Sequence, residues 1–256
     1  NYINKKWGIS KETIDRLKIG YAKPGKGNTN LGKIADSDEW LESGLFSVAK
    51  LATPDAAGHE KAYEIFKGKV VNFAARGDFT DPINTPDSQY EKNGNDIIKY
   101  KKLLTHNEKH PYVASCVNNS YLFGEDTLKG NDYCIITEGI ADSIVLVQNG
   151  YPVLSPITTK FAKHDIEKLL QAARRLKTVY ICNDNEDSGA GEDGAIRTGK
   201  LLTNNGLDVK IMVLPKGGLS KIDVAEFFLT HTKDEFEVVK SQAKKFIPFM
   251  LEQVKK

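Results

Sequence analysis

Between residues 133 and 214 the chain alternates short apolar runs of strand type with longer segments of helical periodicity. The apolar runs are 133–137, 152–155, 178–182 and 209–214. The segments with helical spacing are 140–148, 166–176 and 194–203. Strands that alternate with helices pair side by side through βαβ crossovers, because each helix carries the chain back to the start of the next strand. The sequence therefore predicts an α/β domain with a mainly parallel four-stranded sheet.

The residues before this domain follow no such alternation. Ser10 is placed to cap a short helix that ends near Leu17, and residues 70–73 form an apolar run that predicts a strand. Residues 78–95 are rich in Pro, Asp, Asn and Gly, and this composition predicts a surface loop. We expect an N-terminal α+β lobe over residues 1–131.

The C-terminal end returns to helical spacing. After Asp234, one helical face collects the apolar residues Phe236, Val239, Ala243, Phe246 and Ile247. Because proline lacks a backbone donor, we expect a helix that is kinked or interrupted near Pro248. The chain is thus predicted to divide into the lobe 1–131, the α/β domain 132–230 and a short helical region 231–256.

The composition fits a globular protein. Hydrophobic residues make up 40% of the chain and charged residues 27%, which excludes disordered, collagen-like and coiled-coil proteins. The longest apolar runs, such as 144–147, fall far below the ~18 residues that span a bilayer, so a membrane protein is excluded as well. The net charge of +2 permits a nucleic-acid partner without requiring one, because phosphate binding depends on a local cationic surface.

The cysteines indicate a reducing compartment. The three cysteines, Cys116, Cys134 and Cys182, are odd in number and widely spaced, which excludes a disulfide framework and a CxxC pair for zinc. No signal-peptide pattern opens the chain. We therefore expect a cytoplasmic protein. Because the chain begins at Asn1 rather than Met, we also expect an excised fragment of a longer protein.

Acidic residues follow three of the predicted strands. Glu138 follows the first strand, Asp184 and Glu186 follow the third, and Asp223 lies in the loop after the fourth. At the carboxyl edge of a parallel sheet these side chains can converge, and hard divalent cations are the simplest compensation for their mutual repulsion. Two such ions would clamp the attacking and leaving oxygens of a phosphoryl transfer. In the competing interpretation, each acid is a solvated strand end or a helix N-cap.

These acidic motifs resemble those of a known domain. Residues 133–156, which include the run Thr137, Glu138 and Gly139, look like the glutamate motif of TOPRIM domains, and residues 181–189 look like their DxDxxG motif. More specifically, the chain resembles the catalytic core of bacterial-type, DnaG-like primases. The segments that carry this likeness occur in the same order over about residues 7–230, and they are 7–21, 70–76, 99–100, 121–124 and 214–223.

The resemblance implies the synthesis of RNA primers from NTPs on a single-stranded DNA template, with a replicative helicase as partner. It implies that Glu138 is a metal ligand or an acid-base residue. It also implies that Asp184, Glu186 and Asp223 bind Mg²⁺ or Mn²⁺, with Asp142 as a further candidate ligand. Glu186 departs from the family pattern, which has Asp, and the extra methylene shifts a carboxylate of the metal site.

The same resemblance assigns three basic residues to the nucleic acid. Arg76, Lys99 and Lys221 would contact the template or the incoming nucleotide, because fixed positive charges suit a migrating triphosphate. A TOPRIM nuclease is the first alternative; it would use the same carboxylates with water as nucleophile and would not need the segments of Arg76 and Lys99. A non-catalytic nucleic-acid-binding module is the second alternative, and it follows if Glu186 prevents metal binding.

Two glycine motifs are excluded as nucleotide sites. Residues 189–194 match GxGxxG, but the acids within and around them would repel a pyrophosphate. Residues 194–200 match GxxxxGK, but Leu201 stands where a hydroxyl residue would hold Mg²⁺. The sequence therefore indicates neither a dinucleotide-binding site nor a P-loop.

Overall fold

The computed structural model of the protein describes residues 2–17, 19–21, 46–49, 61–64, 70–71, 105–117, 121–156, 161 and 163–254. Contacts divide the chain into two compact units, one of residues 14–119 and one that joins residues 3–13 to residues 120–256. The boundaries at 131 and 230 stay predictions. Arg76, Lys99 and the predicted loop 78–95 lie outside the described residues.

Two short helices open the described part of the chain. They are α1, Tyr2–Trp7, and α2, Lys11–Arg16. The backbone N–H of Thr13 donates to Oγ of Ser10 at 3.2 Å, so the predicted cap of α2 is confirmed.

The smaller unit contains, in its described part, two antiparallel strand pairs, β1 with β4 and β2 with β3. The bounds of these strands are Gly20–Tyr21 for β1, Phe46–Ala49 for β2, Lys61–Glu64 for β3 and Val70–Val71 for β4. The strand β4 covers the first half of the strand predicted over 70–73, and the second half lies outside the described residues.

The larger unit contains a five-stranded sheet in the order β11, β9, β7, β5, β6, and a separate two-stranded ribbon of β8 and β10. The bounds are Tyr133–Ile136 for β5, Val153–Leu154 for β6, Thr178–Ile181 for β7, Asn185–Glu186 for β8, Val209–Ile211 for β9, Lys221–Ile222 for β10 and Lys244–Lys245 for β11. The pairs within β9, β7, β5 and β6 are parallel. The predicted α/β architecture with a mainly parallel sheet is confirmed.

The edge strand β11 is a feature that the sequence analysis did not predict. Lys244 and Lys245 pair antiparallel with β9, opposite Ile211 and Lys210. Both lysines are exposed. A strand of two exposed lysines leaves no apolar run in the sequence, and charged residues at a sheet edge discourage further strand pairing.

Six helices complete the described part of the larger unit, in addition to the segment 3–13. They are α3, Ile140–Gln148; α4, Ile166–Ala173; α5, Ala190–Asn204; α6, Val224–Thr230; α7, Lys233–Ser241; and α8, Phe246–Val254. The helix predicted over 140–148 is confirmed at both ends. The helix α5 begins earlier than the predicted Gly194, because Gly189, with φ of 76°, takes the left-handed conformation at its N-cap.

The core lies between the sheet and its helices. Ile136, Ile181 and Leu154 from the strands, and Leu169 and Leu202 from the helices, are almost fully buried. Burial of each such side chain stabilises the fold by roughly 1.5–3 kcal/mol. These contacts hold the carboxyl ends of β5 and β7 in fixed positions.

The C-terminal region is interrupted near Pro248, which is one of the two outcomes expected from the sequence. The helix α7 ends at Ser241, and α8 starts at Phe246 after the strand β11. Pro248 therefore lies in the first turn of α8, where the missing N–H has no intrahelical acceptor to lose. The helical structure is therefore interrupted before Pro248, between Ser241 and Phe246.

The segment 3–13 is attached to the end of α3. The side chain of Gln148 accepts from the backbone N–H of Ser10 at 2.7 Å and donates to the carbonyl of Gly8 at 3.1 Å. Ile9, between these two residues, is fully buried. Within the ranges described above, no helix is both long enough and apolar enough to cross a membrane.

Candidate active site

Two predicted site residues follow neighbouring parallel strands. Ile136 of β5 lies opposite Ile181 of β7 in the parallel register. Glu138 follows β5 and Asp184 follows β7, so both leave the sheet at the same edge. The parallel register therefore places the two acids at neighbouring strand ends.

A buried hydroxyl network fixes the turn that carries Glu138. The hydroxyls of Thr137 and Ser143 lie 2.6 Å apart, and Ser143 also donates to the carbonyl of Gly139 at 3.1 Å. Ser155 donates to the carbonyl of Thr137 at 3.3 Å. Because the residues on both sides of Glu138 are held in this way, its carboxylate projects from a turn with little freedom.

Asp142 lies in the first turn of α3 with only 5% of its surface exposed. Its Oδ1 accepts from the backbone N–H of Ala225 at 3.0 Å. A Cβ at Gly139 would overlap Oδ2 of the same carboxylate. The glycine therefore makes the space that lets Asp142 link α3 to the start of α6.

Asp223 is the N-cap of α6. Its Oδ1 accepts from the backbone N–H of Glu226 at 2.7 Å, and Glu226 Oε2 accepts from the backbone N–H of Asp223 at 3.1 Å. As the competing interpretation proposed, Asp223 is a helix N-cap, and one oxygen of its carboxylate makes the capping hydrogen bond. The loop predicted after the fourth parallel strand contains the additional strand β10, and Asp223 follows it directly.

The ribbon of β8 and β10 brings Glu186 and Lys221 together. Lys221 lies opposite Glu186 in the antiparallel register. The Nζ of Lys221 lies 2.6 Å from Oδ2 of Asp184, and the two side chains are 44% and 15% exposed. Lys221 is therefore engaged with an acid of the site in this structure.

Gly191 allows α5 to pack closely against the Asp184 loop. A Cβ at Gly191 would overlap the backbone carbonyl oxygen of Asp184, so α5 can approach this loop only through glycine. The side-chain amide of Asn183 donates to the carbonyl of Gly191 at 3.2 Å. The glycine-rich run at 189–194 thus starts α5 and packs it against the loop.

Negative charge at the site raises the pKa of Glu138. Burial of its carboxyl and the charges of Asp184 and Glu186 raise that pKa to about 7, against the opposing charges of Lys221 and Arg197. Burial and the neighbouring acids together therefore outweigh the effect of the two basic residues on this pKa.

The same excess acts on Asp223 and Asp142. Burial raises the pKa of Asp223 to about 6, although the hydrogen bond from the Glu226 backbone opposes the rise. Burial, followed by the charges of Asp223 and Asp184, holds the pKa of Asp142 well above its usual range. The acids predicted from the sequence are thus brought close enough to influence one another.

The donors of this cluster are all carboxylate oxygens, the ligand type that Mg²⁺ and Mn²⁺ prefer. Among the residues that the structure describes, no three His, Cys, Asp or Glu side chains already form a metal-binding group. The acids fit a divalent cation by donor chemistry and by their uncompensated charge. Small side-chain movements would have to bring their oxygens onto one ion.

The sequence analysis missed Arg197 at this site. Arg197 lies on the exposed surface of α5, and its charge lowers the pKa of Glu138. No motif marks it, because only the packing of α5 brings it toward Glu138. The predicted contacts of Arg76 and Lys99 with nucleic acid concern residues outside the described ranges and stay proposals.

Comparison with known proteins identifies the domain. Residues 135–228 match a family described as Toprim-like. The DNA primase of Clostridium acetobutylicum is 28% identical over 245 residues, which cover 90% of this chain and 35% of that protein. The DNA primase of Halalkalibacterium halodurans is 26% identical over 231 residues, which cover 82% of this chain and 33% of that protein.

The fold is similar to that of a solved primase structure. The DnaG catalytic core superimposes with a TM-score of 0.63 at 20% identity, over 98% of this chain and 74% of that chain. The chain spans about a third of the length of the curated primases that it matches. The chain therefore contains a Toprim-like domain at residues 135–228 and has the fold of the DnaG primase catalytic core.

Proposed function

We propose that this chain is the catalytic core of a DNA primase, which synthesises short RNA primers on single-stranded DNA by metal-dependent nucleotidyl transfer. The observation that carries the proposal is the gathering of Glu138, Asp184, Glu186 and Asp223 around one edge of the sheet, within a Toprim-like domain. In this reaction a 3′-hydroxyl attacks the α-phosphate of an NTP and pyrophosphate leaves.

The proposed cofactor is Mg²⁺ or Mn²⁺. Glu138, Asp184, Glu186 and Asp223 would hold it, and Asp142 is a further candidate ligand. When bound, such an ion neutralises triphosphate charge and lowers the pKa of the attacking hydroxyl. Burial is the largest cause of the raised pKa of Glu138, and the charges of Asp184 and Glu186 add to it; a cation bound among these acids would compensate that charge.

Glu138 is the proposed acid-base residue of the site. In the absence of metal its carboxyl has a pKa of about 7, and a bound cation would lower that pKa and favour the ionised form that a general base needs. The hydroxyl network on both sides of Glu138 limits the positions that its carboxylate can take. This restriction would help to orient the reacting hydroxyl.

The proposed substrates and partners are the single-stranded DNA template, NTPs and a replicative helicase, in a cytoplasmic setting. Arg76, Lys99 and Lys221 are proposed to contact the template or the incoming nucleotide, and Arg197 joins them because its charge reaches Glu138. Such fixed cations would stabilise the charge that develops on the transferring phosphate.

A Toprim-type nuclease would need only the acids. The likeness to the primase core extends over nearly the whole chain, including the residues before the Toprim-like domain, and this favours the primase. The alternative in which Glu186 abolishes metal binding leaves a nucleic-acid-binding module.

The test is an assay of the 256-residue chain with labelled NTPs and single-stranded DNA, in the presence of Mg²⁺, Mn²⁺ or EDTA. We expect oligoribonucleotides of discrete lengths that require both NTPs and a divalent ion. Cleavage of the DNA without synthesis would identify a nuclease instead. DNA binding that EDTA leaves unchanged, with neither synthesis nor cleavage, would identify the binding module.

A further inference from the structure

Asp184 is already paired with a cation that belongs to the chain itself. The ammonium of Lys221 lies 2.6 Å from Oδ2 of Asp184, which is a close ion pair. Asp184 is 15% exposed, so little water competes for its carboxylate, whereas Lys221 remains accessible at 44%. The carboxylate at the centre of the proposed metal site is therefore partly neutralised before any ion arrives.

The backbone fixes the position from which Lys221 reaches this acid. Lys221 lies opposite Glu186 in the ribbon of β8 and β10. The backbone N–H of Asp187 donates to the carbonyl of Ser220 at 3.0 Å and extends the pairing by one step. The side-chain amide of Asn185 donates to the carbonyl of Leu214 at 2.8 Å and ties the ribbon to the segment that follows β9.

Lys221 also has a wider electrostatic role. Its charge opposes the negative charge on Glu138, Asp142 and Asp223 as well as that on Asp184. A divalent cation placed among these acids would be repelled by the same ammonium. The positive charge of Lys221 therefore both holds this residue in the cluster and repels an incoming ion.

We propose that the Lys221 ammonium is the resident counter-ion of Asp184, and that a divalent cation must displace it to use this carboxylate. The proposal rests on the metal site of the proposed function and assigns Lys221 a role toward the metal rather than toward nucleic acid alone. It follows that Lys221 weakens the binding of divalent ions and offsets part of the negative charge of the ion-free site.

The test is a Mn²⁺ titration of the full chain, in which electron paramagnetic resonance measures the free ion. Lys221→Met keeps the aliphatic stem and removes the charge. We expect it to tighten Mn²⁺ binding by about tenfold or more, because a unit charge no longer adjoins the divalent ion. Lys221→Arg retains the charge and should bind Mn²⁺ within about threefold of the parent, since competition persists.

Lys216→Met is the matched control. Lys216 also pairs with an aspartate, Asp187, which is 68% exposed, and its removal changes the net charge by the same amount. We expect its Mn²⁺ affinity to equal that of the parent. A tightening as large as that of Lys221→Met would show a general charge effect and would overturn the proposal.

A double-mutant cycle separates competition from damage to the fold. In an Asp184→Asn background the ion pair is absent, so Lys221→Met should tighten Mn²⁺ binding by less than it does in the parent, because only the longer-range repulsion is left to remove. An equal tightening in both backgrounds would show general repulsion rather than displacement and would overturn the proposal. Each protein is first checked by its thermal midpoint in EDTA. If Lys221→Met does not fold, Lys221→Gln replaces it in every arm, because its polar end tolerates the half-exposed position.

The outcomes distinguish the proposal from the function on which it rests. If the parent binds Mn²⁺ and Lys221→Met binds it equally or more weakly, the counter-ion role is wrong while the metal site stands. If neither the parent nor the Lys221→Met variant binds Mn²⁺, the metal site is wrong, and the counter-ion proposal fails with it.

Discussion

The candidate site has two sides that are held together in different ways. The α3 side, which comprises Glu138, Gly139 and Asp142, is fixed by buried hydrogen bonds that run from β5 through α3 to the start of α6. The ribbon side, which comprises Asp184, Glu186 and Lys221, depends on two-residue strands and a partly exposed ion pair.

The two sides therefore differ in how easily their contacts can be broken. A buried and fully hydrogen-bonded network resists displacement, because any broken bond leaves a polar group without water. The half-exposed Lys221 can move into water, whereas Asp184, at 15% exposure, needs another cation in its place. We infer that the α3 side sets the geometry of the site, while the ribbon side adapts to cations and substrate.

The largest expected effect tests the α3 side. Glu138→Gln keeps the shape of the side chain and removes its charge, and we expect primer synthesis to fall by ~10²–10⁴, the usual contribution of an acid-base group. Glu167→Gln makes the same chemical change at an exposed position of α4 and should leave the rate unchanged. Synthesis at the parental rate by Glu138→Gln at saturating Mg²⁺ and Mn²⁺ would refute the catalytic role.

The next effect tests the backbone of the ribbon side. Gly191→Ala forces a methyl group against the carbonyl oxygen of Asp184, so we expect a loss of about 1–3 kcal/mol in the free energy of unfolding. Urea denaturation measures this loss. Lys200→Ala, on the exposed surface of the same helix, should change stability by no more than about 0.5 kcal/mol. Equal stability of the two variants would show that the Asp184 loop can move to accommodate the methyl group without a loss of stability.

A smaller effect concerns the stability of the metal-free protein. The carboxyl of Glu138 has a pKa of about 7 in the folded protein, compared with the ordinary value of 4.5. Between these values the folded state binds more protons than the unfolded state, so stability falls as the pH rises through this window. Glu138→Gln should remove that fall.

We expect Glu138→Gln to be more stable than the parent at pH 8 in EDTA by about 1–2 kcal/mol, after allowance for the half-exposed side chain. At pH 4, where the parental carboxyl is protonated in both states, the two proteins should be equally stable. Denaturation curves at the two pH values measure the difference. A variant that is less stable at pH 8 would show that the carboxylate is compensated in the absence of metal.

The smallest expected effect concerns the exposed ion pair of Asp187 and Lys216 near the ribbon. Asp187→Asn breaks the exposed pair with Lys216, and we expect a change in stability of at most about 0.5 kcal/mol. High salt should leave this difference close to zero. A loss above about 1 kcal/mol in thermal or urea unfolding would mean that the ribbon side is held more firmly than its exposure indicates.

Much of the parallel sheet and its helices was predictable, because apolar runs and glycine punctuation act locally. The segment 140–148 is an example, since Gly139 and the pair Asn149 and Gly150 mark its two ends in the sequence. The strand β11 was not predictable, because pairing with β9 rather than residue type creates it.

The acids of the site were found from their positions after strands, whereas their partners were not. The pairing of Lys221 with Asp184 joins residues from different strands of a ribbon that is too short to leave a pattern. The contact of Asp142 with the Ala225 backbone spans 83 residues of sequence. Such contacts are set by tertiary packing and cannot be derived from local spacing.

The attachment of the segment 3–13 to α3 has a consequence for the time at which the protein can fold during synthesis. Ser10 is separated by 138 residues from Gln148, whose side chain holds it. At roughly 5–20 residues per second, about 10–30 s pass between the synthesis of the two residues. During this interval Gln148, which bonds to the residues on both sides of the buried Ile9, is not yet available. The larger unit is therefore among the last parts of the chain to close, although its first residues leave the ribosome early.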